Sequence, residues 1–266
     1  MIQKLLHYIR FVFLLIKLRI SRMMMFRVSF FGAFFTDSAL FIIQLIAFSA
    51  IYSQVDSIGD WGWGAMLIFI GTYSLVNAIS MVSFFFGVLE IPDKIRDGSL
   101  DLYITKPGNV LLRISFESVD PGSIPLLVLS AAIVAYGVSV LGIRVTAPVA
   151  AAYLALVLLG TLLWYDIMVL FRSITFFVFH NDIEWVESEM ITLNMRIPGT
   201  LYKGAFKLLF CFLVPYGIIA TVPAQLLTGA LTLPGLLQCL GITAAFTLAA
   251  LWFWRFALRR YKSASS

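Results

Sequence analysis

Residues 148–171 read PVAAAYLALVLLGTLLWYDIMVLF, in which Asp166 is the one charged side chain, and the stretch stops at Arg172. At ~1.5 Å of rise per residue, a helix this long exceeds the ~30 Å hydrocarbon core of a bilayer. Apolar side chains occupy all of its faces, as a lipid-embedded helix requires. The rest of the chain has the same character: of 266 residues, 61% are hydrophobic and 12% charged. A soluble core of that size needs a charged coat that 19 basic and 14 acidic residues do not supply. Composition therefore assigns the chain to the bilayer.

Working outward from 148–171, runs of roughly 20 apolar residues bounded by charges, prolines or polar clusters recur on both sides. They predict an all-α membrane protein with six spans at about 28–52, 65–88, 124–143, 148–171, 205–228 and 234–258, forming a single membrane domain over 1–266. Lys and Arg are distributed unevenly between these runs. Six precede the first, four fall between the second and third, four between the fourth and fifth when Lys207 in the fifth's first turn is counted, and four at the C-terminal end when Arg255 in the sixth's last turn is counted, against Arg144 alone on the opposite side. The positive-inside rule then places both termini and the two long loops in the cytoplasm, which requires an even number of spans. The same distribution accounts for the net charge of +5 without a nucleic-acid partner.

The N-terminus is basic and then apolar, but Lys17, Arg19, Arg22 and Arg27 follow the short apolar run and no small-residue cleavage site appears, so a signal peptide is not expected. Within 1–27, Ile2, Leu5, Ile9, Val12, Phe13, Ile16 and Ile20 share one side of a helical wheel, with Lys4, His7, Arg10 and Lys17 opposite. This pattern predicts an interfacial helix on the lipid surface. Cys211 and Cys239 sit in apolar runs and read as small buried hydrophobes.

The most patterned soluble segment is the predicted cytoplasmic loop at 89–112, which begins LEIPDKIRDGSLDLYITKPGN. Pro92 suits a first helical turn, Gly98 a helix C-terminus, Asp97 or Ser99 the cap of a second short helix, and Lys106, Pro107, Gly108 and Asn109 a turn. The second helix is expected to present Leu100, Tyr103 and Ile104 as an apolar tip surrounded by Arg96, Asp97, Asp101 and Lys106. An apolar anchor with a polar rim suits docking to a partner, and packing against the chain's own bundle is the alternative.

Ile91-Pro92, Ile95-Arg96, Gly98, Leu100-Asp101 and Lys106-Pro107 resemble the signature of a branch of ABC-2-type transporter permeases, and Tyr202 to Gly229, with Pro215 and Pro223-Ala224, resembles its fifth span. The resemblance implies an N-terminal interfacial helix, six spans, and a coupling role for Arg96 through Lys106 against a separate nucleotide-binding subunit. It further implies a second permease chain, identical or similar, with ATP and Mg held on the partner ATPase and no cofactor on this chain. Export across a prokaryotic plasma membrane is expected from the same source. No Gly-Lys dipeptide occurs, so a P-loop is absent and the chain is not its own ATPase by that mechanism.

Asp37 lies inside the first predicted span, where a carboxylate costs roughly 3 kcal/mol unless paired or hydrated. With Thr36, Ser38 and Gln44 it defines a candidate intramembrane polar strip for helix packing, pathway lining or proton coupling. Asp166 is expected near headgroup level within reach of Arg172, and Asp182, Glu184, Glu187 and Glu189 are expected on a solvated or interfacial helix. A membrane enzyme lacks raw materials, since His7 and His180 are both cytoplasmic and no metal motif is present. An ion-gradient-coupled carrier or channel, resting on Asp37, is the stronger rival.

Overall fold

The computed structural model describes residues 27–178 and 182–261; the predicted interfacial helix, His7, His180 and the side chains of Asp37, Asp182 and Glu184 lie outside them. The architecture is nearly all-α. Helix α1 (Arg27–Tyr52) leads into a two-stranded hairpin, β1 (Ser57–Ile58) and β2 (Trp61–Gly62), and then into α2 (Trp63–Ser83). Four short helices follow: α3 (Phe85–Leu89), α4 (Ile91–Arg96), α5 (Asp101–Ile104) and α6 (Val110–Glu117). The chain returns through α7 (Ile124–Val140) and α8 (Ala147–Ile174). The last third comprises α9 (Asp182–Arg196), α10 (Gly204–Leu208), α11 (Tyr216–Ile219), α12 (Thr221–Thr228) and α13 (Leu233–Arg260).

Among the described residues, four helical stretches are long and apolar enough to cross a membrane: Trp63–Ser83, Pro121–Val140, Ala147–Ile174 and Leu233–Arg260. A fifth exists only if the pair Gly204–Leu213 and Tyr216–Thr228, bent by 73°, is taken as one span. The described apolar part of α1 runs from Phe41 to Tyr52. One end of the bundle carries the β-hairpin, and the other carries the elbow formed by α3 to α6.

Small residues set the closest crossing. A Cβ on Gly71 would meet Val134 and the Ser130 carbonyl, and one on Gly137 would meet Ile68 and the Gly64 carbonyl, so α2 and α7 approach backbone to backbone. Around them α2 and α8 supply the most buried surface, with Tyr73 and Trp164 in ring contact at 5.5 Å and Trp164 meeting Tyr216 edge-on at 5.9 Å.

Three sequence expectations are corrected. The predicted span at 65–88 breaks at Phe84, where the backbone leaves the helical region, after Ser80 and Ser83 turn their hydroxyls back onto the Val76 and Ile79 carbonyls. The predicted span at 205–228 is broken into the bent pair. Pro215 lacks an N–H and drives Val214 to φ −133°, ψ 77°, ending a π-helical turn at Leu209–Leu213.

The third correction concerns the predicted solvated helix. Helix α9 packs one side along the bundle, which overturns the expectation for Glu187 while Glu189 is exposed as expected: Glu187 is 1% exposed, the Tyr73 hydroxyl donates to the Ile191 carbonyl (3.1 Å), and Gln44 Nε2 donates to the Met195 carbonyl (3.1 Å). Beyond it, Trp61 Nε1 donates to Thr200 Oγ1 at 2.7 Å, at the hairpin end. The bent pair returns to that same end, because Gln225 and Thr228 line a cavity of about 530 Å³ with Asp60, Trp61 and Thr200. Its bend reaches past the middle of α8: Gly160 abuts the Ile219 carbonyl, Tyr216 meets Trp164, and Leu213 and Val214 line a pocket with Phe171 and Ile174 near that helix's end. Only the side of α9 that carries Glu187 and Asn194 is buried, while Trp185, Glu189 and Leu193 stay exposed.

Candidate functional site

Local sequence builds the elbow as expected in outline. Pro92 stands in the first turn of α4. Gly98 adopts φ 75° after that helix, and the Leu100 amide bonds back to the Lys94 carbonyl at 2.9 Å. Asp97 Oδ1 accepts from the Ser99 amide at 2.8 Å, which closes the turn, and hydrogen bonding from the Ser99 side chain and then its amide lowers the Asp97 pKa from its ordinary value. Neither Asp97 nor Ser99 caps α5 directly, as that helix starts without a side-chain cap. Lys106 through Gly108 turn the chain, Gly108 at φ 126°, into Asn109, whose side chain caps α6 by accepting from the Leu112 amide.

The underside of the elbow is sealed against the rest of the protein. Ile91, Leu100 and Ile114 are fully buried, with Ile95 and Leu111 nearly so. At the α3–α6 crossing, a Cβ on Gly87 would collide with the Ile114 and Ser115 carbonyls, so only glycine permits this approach. Ser115 and Tyr165 hydroxyls meet at 3.0 Å, and Phe84 packs edge-on to Tyr165, which ties the elbow to α8. Glu90 is the polar hinge: it pairs with Lys94 (2.7 Å) and accepts from Ser118 (3.0 Å). Burial removes some hydration from the Lys94 ammonium, but the Glu90 bond outweighs that and its pKa is raised. Lys94 also sits 5.5 Å from the Tyr103 ring, whose hydroxyl pKa burial raises.

The outward face differs from expectation in one respect. Leu100 belongs to the buried underside, because its position just before α5 turns it toward α4. The exposed apolar residues are Leu102 (62%) and Ile104 (42%), with Tyr103 half-buried between them. Arg96, Asp97, Lys106 and Pro107 are exposed beside them, and Asp101 and Gly98 are half-buried. Sequence reasoning passed over Leu102, although its place between Leu100 and Ile104 in a one-turn helix put it on the opposite side from Leu100.

The candidate polar strip in α1 divides. Gln44 is buried and bridges to α9, its Oε1 lacking a partner among the described residues, and buried Ser38 lacks one likewise. The expected Asp166–Arg172 proximity is not a pairing. Asp166 accepts from Thr247 Oγ1 of α13 at 2.5 Å, while Arg172 Nη2 pairs with Glu187 at 2.8 Å, a bond between two side chains that are 4% and 1% exposed. Tyr216 donates to the same Glu187 at 3.1 Å, so α8, α9 and α11 meet at one buried ionic knot. Among the described residues, no cluster of His, Cys, Asp or Glu is arranged to hold a metal.

No curated protein and no solved structure matches the chain. A family model described as "ABC-2 family transporter protein" matches residues 38–265, which takes in the elbow, the bent pair and every helix from α2 to α13. A multi-pass apolar helix bundle with nearly the whole chain inside that model makes this protein a member of the ABC-2 transporter family, the membrane permease component of an ABC transporter.

Proposed function

We propose that the elbow is the seat of a separate ATPase subunit, and that its movement on ATP binding is passed to the bundle through α3 and α6. The observation that carries this is the two-sided build of the elbow: a buried apolar underside and glycine-tight crossing make it rigid, while Leu102 and Ile104 stand exposed within a charged rim. Two apolar anchors inside a polar surround match the centre of a protein interface. The roles read from sequence in Arg96, Asp97, Gly98, Asp101, Tyr103, Lys106 and Pro107 are rim contacts and turn geometry, with Leu102 and Ile104 replacing Leu100 as the anchors. ATP and Mg bind on the partner, and this chain contributes no cofactor site.

Six crossings follow if α1, α2, α7, α8, α9 and α13 each traverse the bilayer and the α10–α12 pair dips in from the hairpin side. The elbow end, with Lys94, Arg96, Lys106 and Arg113, and the end of α13, with Arg255, Arg259 and Arg260, are then cytoplasmic. A second permease chain completes the pathway, in the plasma membrane of a prokaryote, and the direction is export.

The test is recovery of the ATPase from native membranes in mild detergent. A Leu102→Asp, Ile104→Asp variant is expected to keep its fold and lose the ATPase, whereas Leu100→Ala is expected to lower stability but keep the ATPase in whatever folded fraction survives. Loss from Leu100→Ala with retention in the surface variant would move the docking surface elsewhere. Absence of any ATPase with wild type, together with transport that persists after ATP depletion, would favour an ion-gradient-coupled carrier.

A further inference from the structure

We propose that Arg196, Lys203 and Lys207 form a binding strip for the phosphate headgroup of an anionic lipid in the non-cytoplasmic leaflet, an inference that rests on the orientation proposed above. With α9 packed along the bundle from Glu187 toward the hairpin end, these three of the eighteen cations first assigned to the cytoplasm come to lie on the opposite half. Their placement follows from contacts. Leu201 abuts Gly59 of the hairpin and Thr200 bonds Trp61, so Lys203 begins the inward arm at the hairpin end. Lys207 stands one helical turn further along α10, and Arg196 occupies the last turn of α9, beside the Met195 carbonyl that Gln44 holds.

Cations on this half oppose the charge bias that orients the chain, and within apolar surroundings each is costly unless an anion compensates it. All three are exposed, and among the described residues none forms an ion pair, not even with Asp56 or Asp60 at the same end. The surface below them is apolar: Phe206 and Leu213 are each 62% exposed, Leu208 56% and Phe212 44%. Cations at the mouth of an arm with exposed aromatic and aliphatic side chains along it reproduce the order of a lipid, headgroup above acyl chain. A soluble anion has no use for the apolar part.

The experiment uses the full chain purified in mild detergent, with native mass spectrometry after addition of phosphatidylglycerol or phosphatidylcholine of matched acyl chains. Wild type is expected to hold phosphatidylglycerol in preference. Each Gln substitution should weaken that binding about fivefold and the triple R196Q/K203Q/K207Q variant on the order of a hundredfold, with the preference shrinking as salt is raised. An R259Q/R260Q variant at the other end of α13 is expected to retain it. Equal binding by wild type and triple variant, or complete displacement by inorganic phosphate, overturns the proposal. Orientation is tested apart from binding with Lys203→Cys in a Cys211→Ala, Cys239→Ala background and a membrane-impermeant maleimide on intact cells. Labelling from outside with binding unchanged in the triple variant refutes the lipid strip alone; labelling only after lysis refutes the orientation and the strip with it.

Discussion

Replacing Glu187 by Gln takes away the carboxylate opposite Arg172 Nη2, in a place where Arg172 is 3% exposed and its Nε and Nη1 lack partners among the described residues. Breaking one side of a buried pair costs about 3–5 kcal/mol, far more than the median exposed pair. The Tyr216 hydroxyl retains an acceptor in the Gln amide, so most of the loss comes from the stranded cation. A double variant, Arg172→Met with Glu187→Met, removes the charge problem altogether and should recover most of the loss, to within about 1 kcal/mol of wild type or better.

The assay uses the protein's own thiols. Cys211 and Cys239 are free and 5% and 3% exposed, so a thiol-reactive fluorophore reports thermal opening of the segment that the knot holds. Glu187→Gln is expected to lower the midpoint by several degrees, with the double variant close to wild type. Equal midpoints for wild type and Glu187→Gln, or a double variant worse than the sum of the two singles, would refute the claim that this pair fastens α9 and α11 to α8.

Other outcomes follow from single contacts. Gly87→Ala should separate α3 from α6, since the collision is with backbone carbonyls that cannot rotate away; a loss of about 1–3 kcal/mol is expected even after the gain in helix propensity, read from the same thiol melt and from reduced ATPase recovery. Trp61→Phe removes the donor to Thr200 and should cost about 1 kcal/mol, read from the same thiol melt. Thr247→Val leaves the buried Asp166 carboxylate without its donor, and a drop of about 1–3 kcal/mol is expected, which Asp166→Asn in the same variant should reduce.

Much of the elbow was legible because its signals are local. Pro92, Gly98, Pro107 and Asn109 specify helix starts, stops and turns through their own backbone preferences, and each acts where its chemistry points. Which side of α5 faces the bundle was not legible. A one-turn helix has no periodicity to read, and the choice between Leu100 and Leu102 depends on the approach of α4 and α6 from elsewhere in the chain. Gly87 gave no sign of its role, since the obstacle that demands glycine is a pair of carbonyls nearly thirty residues away.

Composition and the long apolar runs by themselves determined that this is a multi-pass helical membrane protein, because the free energy of placing apolar residues in lipid is summed along each segment and needs no partner. The route of residues 172–228 was decided by the tertiary structure alone. Glu187 reads as a solvated acid until Arg172 and Tyr216 stand opposite it, and Thr200 reads as a loop residue until Trp61 binds it. Whether a polar side chain belongs in water or in the bundle depends on what compensates its charge, and that compensation comes from residues far away in the sequence.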